Sequence, residues 1–192
     1  AAAAAAGAGG GQSPIEEIVV TGELRDTRLL DSAASVSVLS LAEQRSGTVN
    51  HLEEVLGWVP NVNYASGGGR ARFVQIRGIG ERGQFAEPLN PSVGLVVDGV
   101  DLTGIGVTAT LFDVEQVEIL RGPQGTLYGA NALAGLINVR TSDPTETFTS
   151  KLRLEGANYD GLGVGGVVSG PLSERSGYRL AAQQYRDDGF MD

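Results

Sequence analysis

The stretch Asp113-Val114-Glu115-Gln116-Val117-Glu118-Ile119-Leu120-Arg121-Gly122-Pro123-Gln124-Gly125-Thr126-Leu127-Tyr128-Gly129-Ala130-Asn131-Ala132-Leu133-Ala134-Gly135-Leu136-Ile137-Asn138-Val139-Arg140 decides the fold. It reads as strand, tight turn, short helical turn, glycine-rich loop and strand. Val117 and Ile119, then Leu136, Ile137 and Val139, supply the β-branched and aliphatic residues that strands favour. Gly122-Pro123 breaks the first run, and Pro123 suits the first position of a short helix, where no backbone donor is needed. Gly125, Gly129 and Gly135 mark sharp turns or close backbone approaches.

Composition narrows the chemistry around this stretch. The 192 residues carry a net charge of −9, which argues against a nucleic-acid surface. Cysteine is absent, so there is neither a disulfide framework nor a thiolate metal site. The single histidine, His51, excludes any site needing two imidazoles, and no cofactor or metal is expected. With 29 glycines, about 15% of the chain, the backbone must turn often. No run of 18 apolar residues is present, so no transmembrane helix is expected.

Upstream, residues 1–14 read as a flexible leader or the small-residue tail of a removed signal peptide. Ile15-Glu16-Glu17-Ile18-Val19-Val20-Thr21-Gly22 is a short strand-like run in flexible company. It suits a segment that pairs with another protein's sheet edge, and equally a first strand of the local sheet. Val36-Ser37-Val38-Leu39 alternates like a strand, and Ser40-Leu41-Ala42-Glu43 matches a capping box opening a short helix that Gly47 ends. A second helix starts near His51, with Leu52, Val55, Leu56 and Val59 on one face and Pro60 as its stop. His51 is expected to be exposed.

Phe73-Val74-Gln75-Ile76-Arg77 is a strand leading into Gly78-Ile79-Gly80-Glu81-Arg82-Gly83, formally a dinucleotide fingerprint. That fingerprint needs a following helix, which Pro88 and Pro91 exclude, so nucleotide binding is set aside. The loop from Gly78 to Ser92 is long enough to be functional. Val93 to Val100 is a strand entering an Asp98-Gly99 turn. Asp98, Asp101 and Asp113 lack the spacing of a calcium loop and read as turn formers.

Beyond Pro144 the texture changes. Phe148, Leu152 and Leu154, then Leu162, Val164, Val168 and Leu172, then Tyr178, Leu180 and Ala182 alternate with polar or small residues. Turns fall at Asn158 to Gly161 and Ser173 to Gly177. Segments of about ten residues with this dyad pattern fit transmembrane β-barrel strands, and equally an antiparallel sheet with one wet face.

These motifs, in this order, resemble the N-terminal part of a TonB-dependent outer-membrane receptor. Ile15 to Gly22 resembles the TonB box. Val62 to Gly78 holds the Ile76-Arg77-Gly78 element, and Val96 to Val100 the Asp-Gly strand. Most specific is Glu118-Ile119-Leu120-Arg121-Gly122-Pro123 through Leu127-Tyr128-Gly129 to Gly135-Leu136-Ile137-Asn138-Val139. Ala134-Gly135 stands where the family often has Gly-Gly.

The resemblance implies an α+β chain: box and linker at 15–35, a mixed-sheet plug with short helices at 36–144, and the first antiparallel barrel strands at 145–192. Only 48 of the 192 residues follow Pro144, too few to close a barrel of about 22 strands, so a fragment or truncation is expected. It also implies energy-coupled uptake of a scarce ligand, a ferric siderophore being the family's common case, across the Gram-negative outer membrane. Cobalamin, haem and oligosaccharides are alternatives, as is a truncated soluble periplasmic module that binds TonB without transport. The implied TonB-binding residues are Ile15, Glu16, Glu17, Ile18, Val19, Val20 and Thr21. Arg77 and Arg121 resemble plug arginines that pair with barrel glutamates, or else they pair locally, with Glu118 the obvious mate. Arg70, Arg72, Arg82 and Phe85 lie on the implied ligand-contact tips, the alternative being that the arginines are solvated loop charges. No enzyme is expected, since no nucleophile-base-acid series or P-loop is present.

Overall fold

The computed structural model describes residues 17–41, 51–66, 70, 72–82, 91–105, 110–158 and 160–188. In chain order the elements are β1 (Val19–Val20), β2 (Thr27–Arg28), β3 (Ser35–Ser40), α1 (Leu52–Leu56), β4 (Val62–Ala65), β5 (Phe73–Ile76), β6 (Ile79–Gly80) and β7 (Val93–Val97). They continue with β8 (Val100–Asp101), β9 (Val114–Arg121), α2 (Gly125–Tyr128), β10 (Gly135–Thr141), β11 (Thr149–Ala157), β12 (Gly161–Ser173) and β13 (Ser176–Arg186).

A five-stranded mixed sheet in the order β3-β9-β10-β7-β8 forms the centre. β9 lies antiparallel to both β3 and β10, and β10 runs parallel to β7. The connection between β9 and β10 is closed by backbone hydrogen bonds from Gly122 N–H to the Ala134 carbonyl (2.9 Å) and from Gln124 N–H to the Ala132 carbonyl (2.8 Å). Gly122 has φ +104°, a conformation that L side chains resist. Helix α2 begins at Gly125, so Pro123 belongs to the turn and not to the first helical position.

Both faces of this sheet are covered, because successive strand residues point to opposite sides. Val117, Ile119, Ile137 and Val139 pack against Leu52, Val55, Leu56 and Val59 of α1 and the turn after it. Each such fully buried aliphatic side chain contributes about 1.5–3 kcal/mol. On the other face Leu120, Leu136, Val96 and Ala132 gather under Val36 and Tyr128. A second small sheet, β4-β5-β6, adds Val62, Val74 and Ile76 to the α1 side. Asp98 (φ +47°) and Gly99 (φ +80°) make the expected tight turn between β7 and β8.

One further expectation is corrected. His51 is half-buried, its Nδ1 is covered without a partner, and burial followed by the Arg70 charge lowers its pKa. The run at Val19–Val20 is not isolated: it pairs antiparallel with Thr27–Arg28 in a separate two-stranded ribbon. The leader, the helix after Leu41 and the loop at 83–90 lie outside the described residues.

Strands β11, β12 and β13 form an open antiparallel sheet, and no closed barrel forms among the described residues. One face carries a group of exposed leucines, Leu152 (74% exposed), Leu154 (71%), Leu162 (62%) and Leu180 (69%), with Gln184 and Arg186 at the far end of β13. Along β12 the other face is small, with Gly161, Gly163, Gly165, Val167 and Ser169 buried, while β11 and β13 add Arg153, Glu155 and Arg179 to it.

Gly135 shows how tightly the central sheet is closed. A Cβ there would strike the Leu120 carbonyl oxygen and lie 2.7 Å from Ile76 Cδ1. Gly135→Ala is therefore expected to lower unfolding stability by about 1–3 kcal/mol. Gly125→Ala, where nothing lies within 4 Å, should change it by less than about 1 kcal/mol. Urea unfolding of the two variants checks this, and equal effects would contradict the packing described.

Candidate functional site

The alternation along β9 that sends Val117 and Ile119 toward α1 sends Gln116, Glu118 and Leu120 to the opposite face. Glu118 is fully buried there. A buried carboxylate is tolerated only when donors surround it. Five donors do so. One carboxylate oxygen accepts from Thr21 N–H (2.8 Å), Thr21 Oγ1 (2.9 Å) and Gln116 Nε2 (2.6 Å). The other accepts from Gly22 N–H (2.7 Å) and Asn138 Nδ2 (3.1 Å).

Three further contacts complete the clasp. Asn138 Nδ2 donates to Thr21 Oγ1 (3.1 Å), Gln116 Nε2 donates to the Val19 carbonyl (3.2 Å), and Tyr128 Oη donates to the Gly22 carbonyl (2.9 Å). Burial, and then the Glu118 charge, push the Tyr128 phenol's pKa up. Val20 is fully buried beside them, whereas Ile18 is 47% exposed. Glycine suits position 22, since a Cβ there would lie 2.7 Å from Leu120 Cδ1 and 2.9 Å from the Glu118 carboxylate and would have to push those side-chain ends aside.

Of the seven residues assigned to the partner-binding segment, Ile15 and Glu16 lie outside the described residues. Glu17 and Ile18 are exposed, and Val19, Val20 and Thr21 are docked on the sheet. Sequence reasoning named none of Glu118, Gln116, Asn138 or Tyr128 as holding that segment. Their alternation with Val117, Ile119, Ile137 and Val139 was the available signal, because it leaves a charged and an amide side chain facing one another across β9 and β10.

Arg77 and Arg121 lie close enough for the Arg77 charge, after burial, to lower the Arg121 pKa. They line one open cleft with Glu23, Arg25, Pro123 and Leu127. Arg121 donates to the Pro60 carbonyl (3.3 Å) and to Ser37 Oγ (2.7 Å). Arg77 ends β5 with φ +55°, its N–H on the Asn61 carbonyl (2.8 Å). The local pairing with Glu118 is ruled out, since that carboxylate is occupied on the other face. Neither arginine forms an ion pair among the described residues.

The candidate tips are only partly described. Arg70 meets Glu53 at 3.5 Å, Arg72 N–H bonds the Ala65 carbonyl (3.2 Å), Arg82 is exposed, and Phe85 lies outside the described residues. The stem of the 82–91 loop is closed by Glu81, whose carboxylate accepts from Ser92 N–H (2.9 Å) and Ser92 Oγ (2.8 Å).

A contact that sequence reasoning missed ties the mixed sheet to the C-terminal strands. Arg179 on β13 grips Asp113 with Nε (2.6 Å) and Nη2 (2.5 Å), and its Nη1 donates to the Asp143 carbonyl (3.2 Å). Only 13% of the Arg179 side chain and 12% of that of Asp113 are exposed. Beside this pair Phe112 stands on Gly165, where a Cβ would come within 2.8 Å of its ring. The polarity is the reverse of the expected lock: here the mixed-sheet domain supplies the carboxylate and the strand supplies the arginine.

A mixed sheet with short helices, an N-terminal segment docked on it and an open antiparallel sheet with exposed leucines together define an α+β domain followed by antiparallel strands. Residues 28–136 match the family model described as TonB-dependent Receptor Plug Domain, and the chain belongs to that family. The pesticin receptor of Yersinia pestis is 34% identical over 79% of this chain and 24% of its own length. The vitamin B12 transporter of Photobacterium profundum is 27% identical over 93% of this chain and 29% of its own. The crystal structure of the ferric yersiniabactin uptake receptor of Yersinia pestis superposes with a TM-score of 0.61, at 32% identity, over 73% of this chain and 22% of that one. The chain thus spans about a quarter of the length of the curated relatives it matches.

The ion pair between plug and strand is open to a double-mutant cycle. Asp113→Asn and Arg179→Gln should show a coupling of about 1–3 kcal/mol in urea unfolding. Strictly additive losses would mean that the two side chains do not act together.

Proposed function

We propose that this chain supplies the gate and the energy-coupling segment of a receptor that takes up a scarce ligand across the Gram-negative outer membrane. The observation that carries this reading is a plug-family domain joined to strands whose outer face is a band of exposed leucines. Such a band is stable against hydrocarbon and costly in water. That band also favours membrane strands over a soluble periplasmic module.

In this reading Ile15 to Thr21 form the segment to which TonB adds as a strand. Main-chain hydrogen bonds give the affinity there, and alternate side chains give the selectivity. Arg77 and Arg121 meet carboxylates of a complete barrel, where a guanidinium can hold a carboxylate through two parallel hydrogen bonds. Their nearness to each other and their lack of an ion pair among the described residues support the assignment. Arg70, Arg72, Arg82 and Phe85 face the incoming ligand, and the three arginines favour an anionic one. A ferric siderophore fits that charge and the role of the similar receptor that takes up ferric yersiniabactin.

Proline removes a ladder donor and fixes φ. Ile18→Pro, placed on the exposed side of the docked residues, should abolish cross-linking of the chain to TonB while leaving the unfolding midpoint unchanged. Cross-linking that survives the substitution would overturn the strand-addition reading.

A further inference from the structure

Strand addition consumes main-chain donors and acceptors along one edge of the added segment. From Val19 onward most of those groups are already engaged. One side of Val19 and Val20 pairs with Arg28 and Thr27. On the other, Gln116 takes the Val19 carbonyl, Glu118 takes the N–H groups of Thr21 and Gly22, and Tyr128 takes the Gly22 carbonyl. Ile18 is the last residue before this clasp that stands largely in solvent, although its carbonyl already accepts from Leu29 N–H (2.9 Å).

We infer that TonB and the Glu118 clasp compete for the main chain of residues 19–22, so that Glu118 sets how far along the segment TonB can pair. The inference rests on the proposed TonB partnership and sharpens it. Glu17 and Ile18 are exposed to the partner, and the clasped groups of Val19, Thr21 and Gly22 become available only when the clasp opens. Glu118 is a positioning residue in this scheme: it acts on the partner through Thr21 and Gly22. It also makes the segment's hold directional. A partner drawing on Ile18 draws on Thr21 and Gly22, and through them on β9, which lies between β3 and β10 in the central sheet.

The 192 residues contain no cysteine, so single introduced thiols report cleanly. Val20→Cys should be protected from maleimide, and adding Glu118→Ala should speed its alkylation at least about tenfold. The core reporter Leu56→Cys should stay protected in both backgrounds. An unchanged rate at position 20 overturns the clasp. If Glu118→Ala also opens Leu56→Cys, the domain itself has been damaged. Gly22→Val then decides, because its side chain lifts the segment away while β9 stays intact. The same tenfold rise at position 20 supports the clasp, and its absence overturns it. A cysteine at Ile18 reads the partner. More cross-linking to TonB without Glu118 supports competition, whereas equal cross-linking in both backgrounds overturns it. Faster alkylation at position 20 with no TonB cross-link in either background defeats the partner assignment, and the competition with it, while leaving the clasp standing.

Discussion

A carboxylate with no access to water governs how this chain enters its domain. Glu118 sits on the second strand of the central sheet and receives two consecutive backbone N–H groups from a segment nearly a hundred residues away in sequence. Removing the carboxylate would leave the Thr21 and Gly22 amides without their acceptor, at about 1–3 kcal/mol for each group left unpaired. It would also cost Gln116 and Asn138 one of their two acceptors. The glycine at 22, the asparagine at 138 and the tyrosine at 128 make sense as parts of one clasp. One allows the close approach, one bridges carboxylate and threonine, and one holds the next carbonyl.

The other end of the domain is held by different means. Asp113, just before β9, has a left-handed conformation (φ +61°), and its carboxylate meets Arg179 on β13. Phe112 fills the space left by Gly165. The domain is therefore fastened to the C-terminal strands by a largely covered ion pair and one aromatic ring, while its N-terminal segment is fastened by hydrogen bonds centred on one carboxylate. Fasteners of that second kind can be exchanged one main-chain partner for another, which suits a segment proposed to change partners. Arg77 and Arg121 stand apart from both fasteners, on an open cleft beyond the α1 side of the sheet.

Much of the framework was legible in the residues. The strand-turn-helix-loop-strand between Asp113 and Arg140, the buried face of Leu52, Val55 and Leu56, and the Asp98-Gly99 turn all follow from local rules of periodicity and backbone geometry. The dyad pattern after Pro144 also appears as written, with leucines outward and glycines inward. The clasp was not legible. On a strand whose alternate residues are aliphatic, Gln116 and Glu118 look like a solvated face. Only the return of residues 19–22 across that face makes it an interior. For the same reason Glu118 looked like the natural mate of Arg121, although their partners lie in different surroundings. Asp113 and Arg179 are 66 positions apart, and nothing local to either marks the pair.

The central claim is that Thr21 and Gly22 belong to the folded sheet through Glu118. Residue-resolved amide hydrogen exchange measures this directly. The account predicts that the Thr21 and Gly22 amides exchange slowly, within the range of the Val117 and Ile119 amides of β9, while the Ile18 amide exchanges rapidly. Exchange of Thr21 and Gly22 at the rate of an unstructured peptide would contradict it.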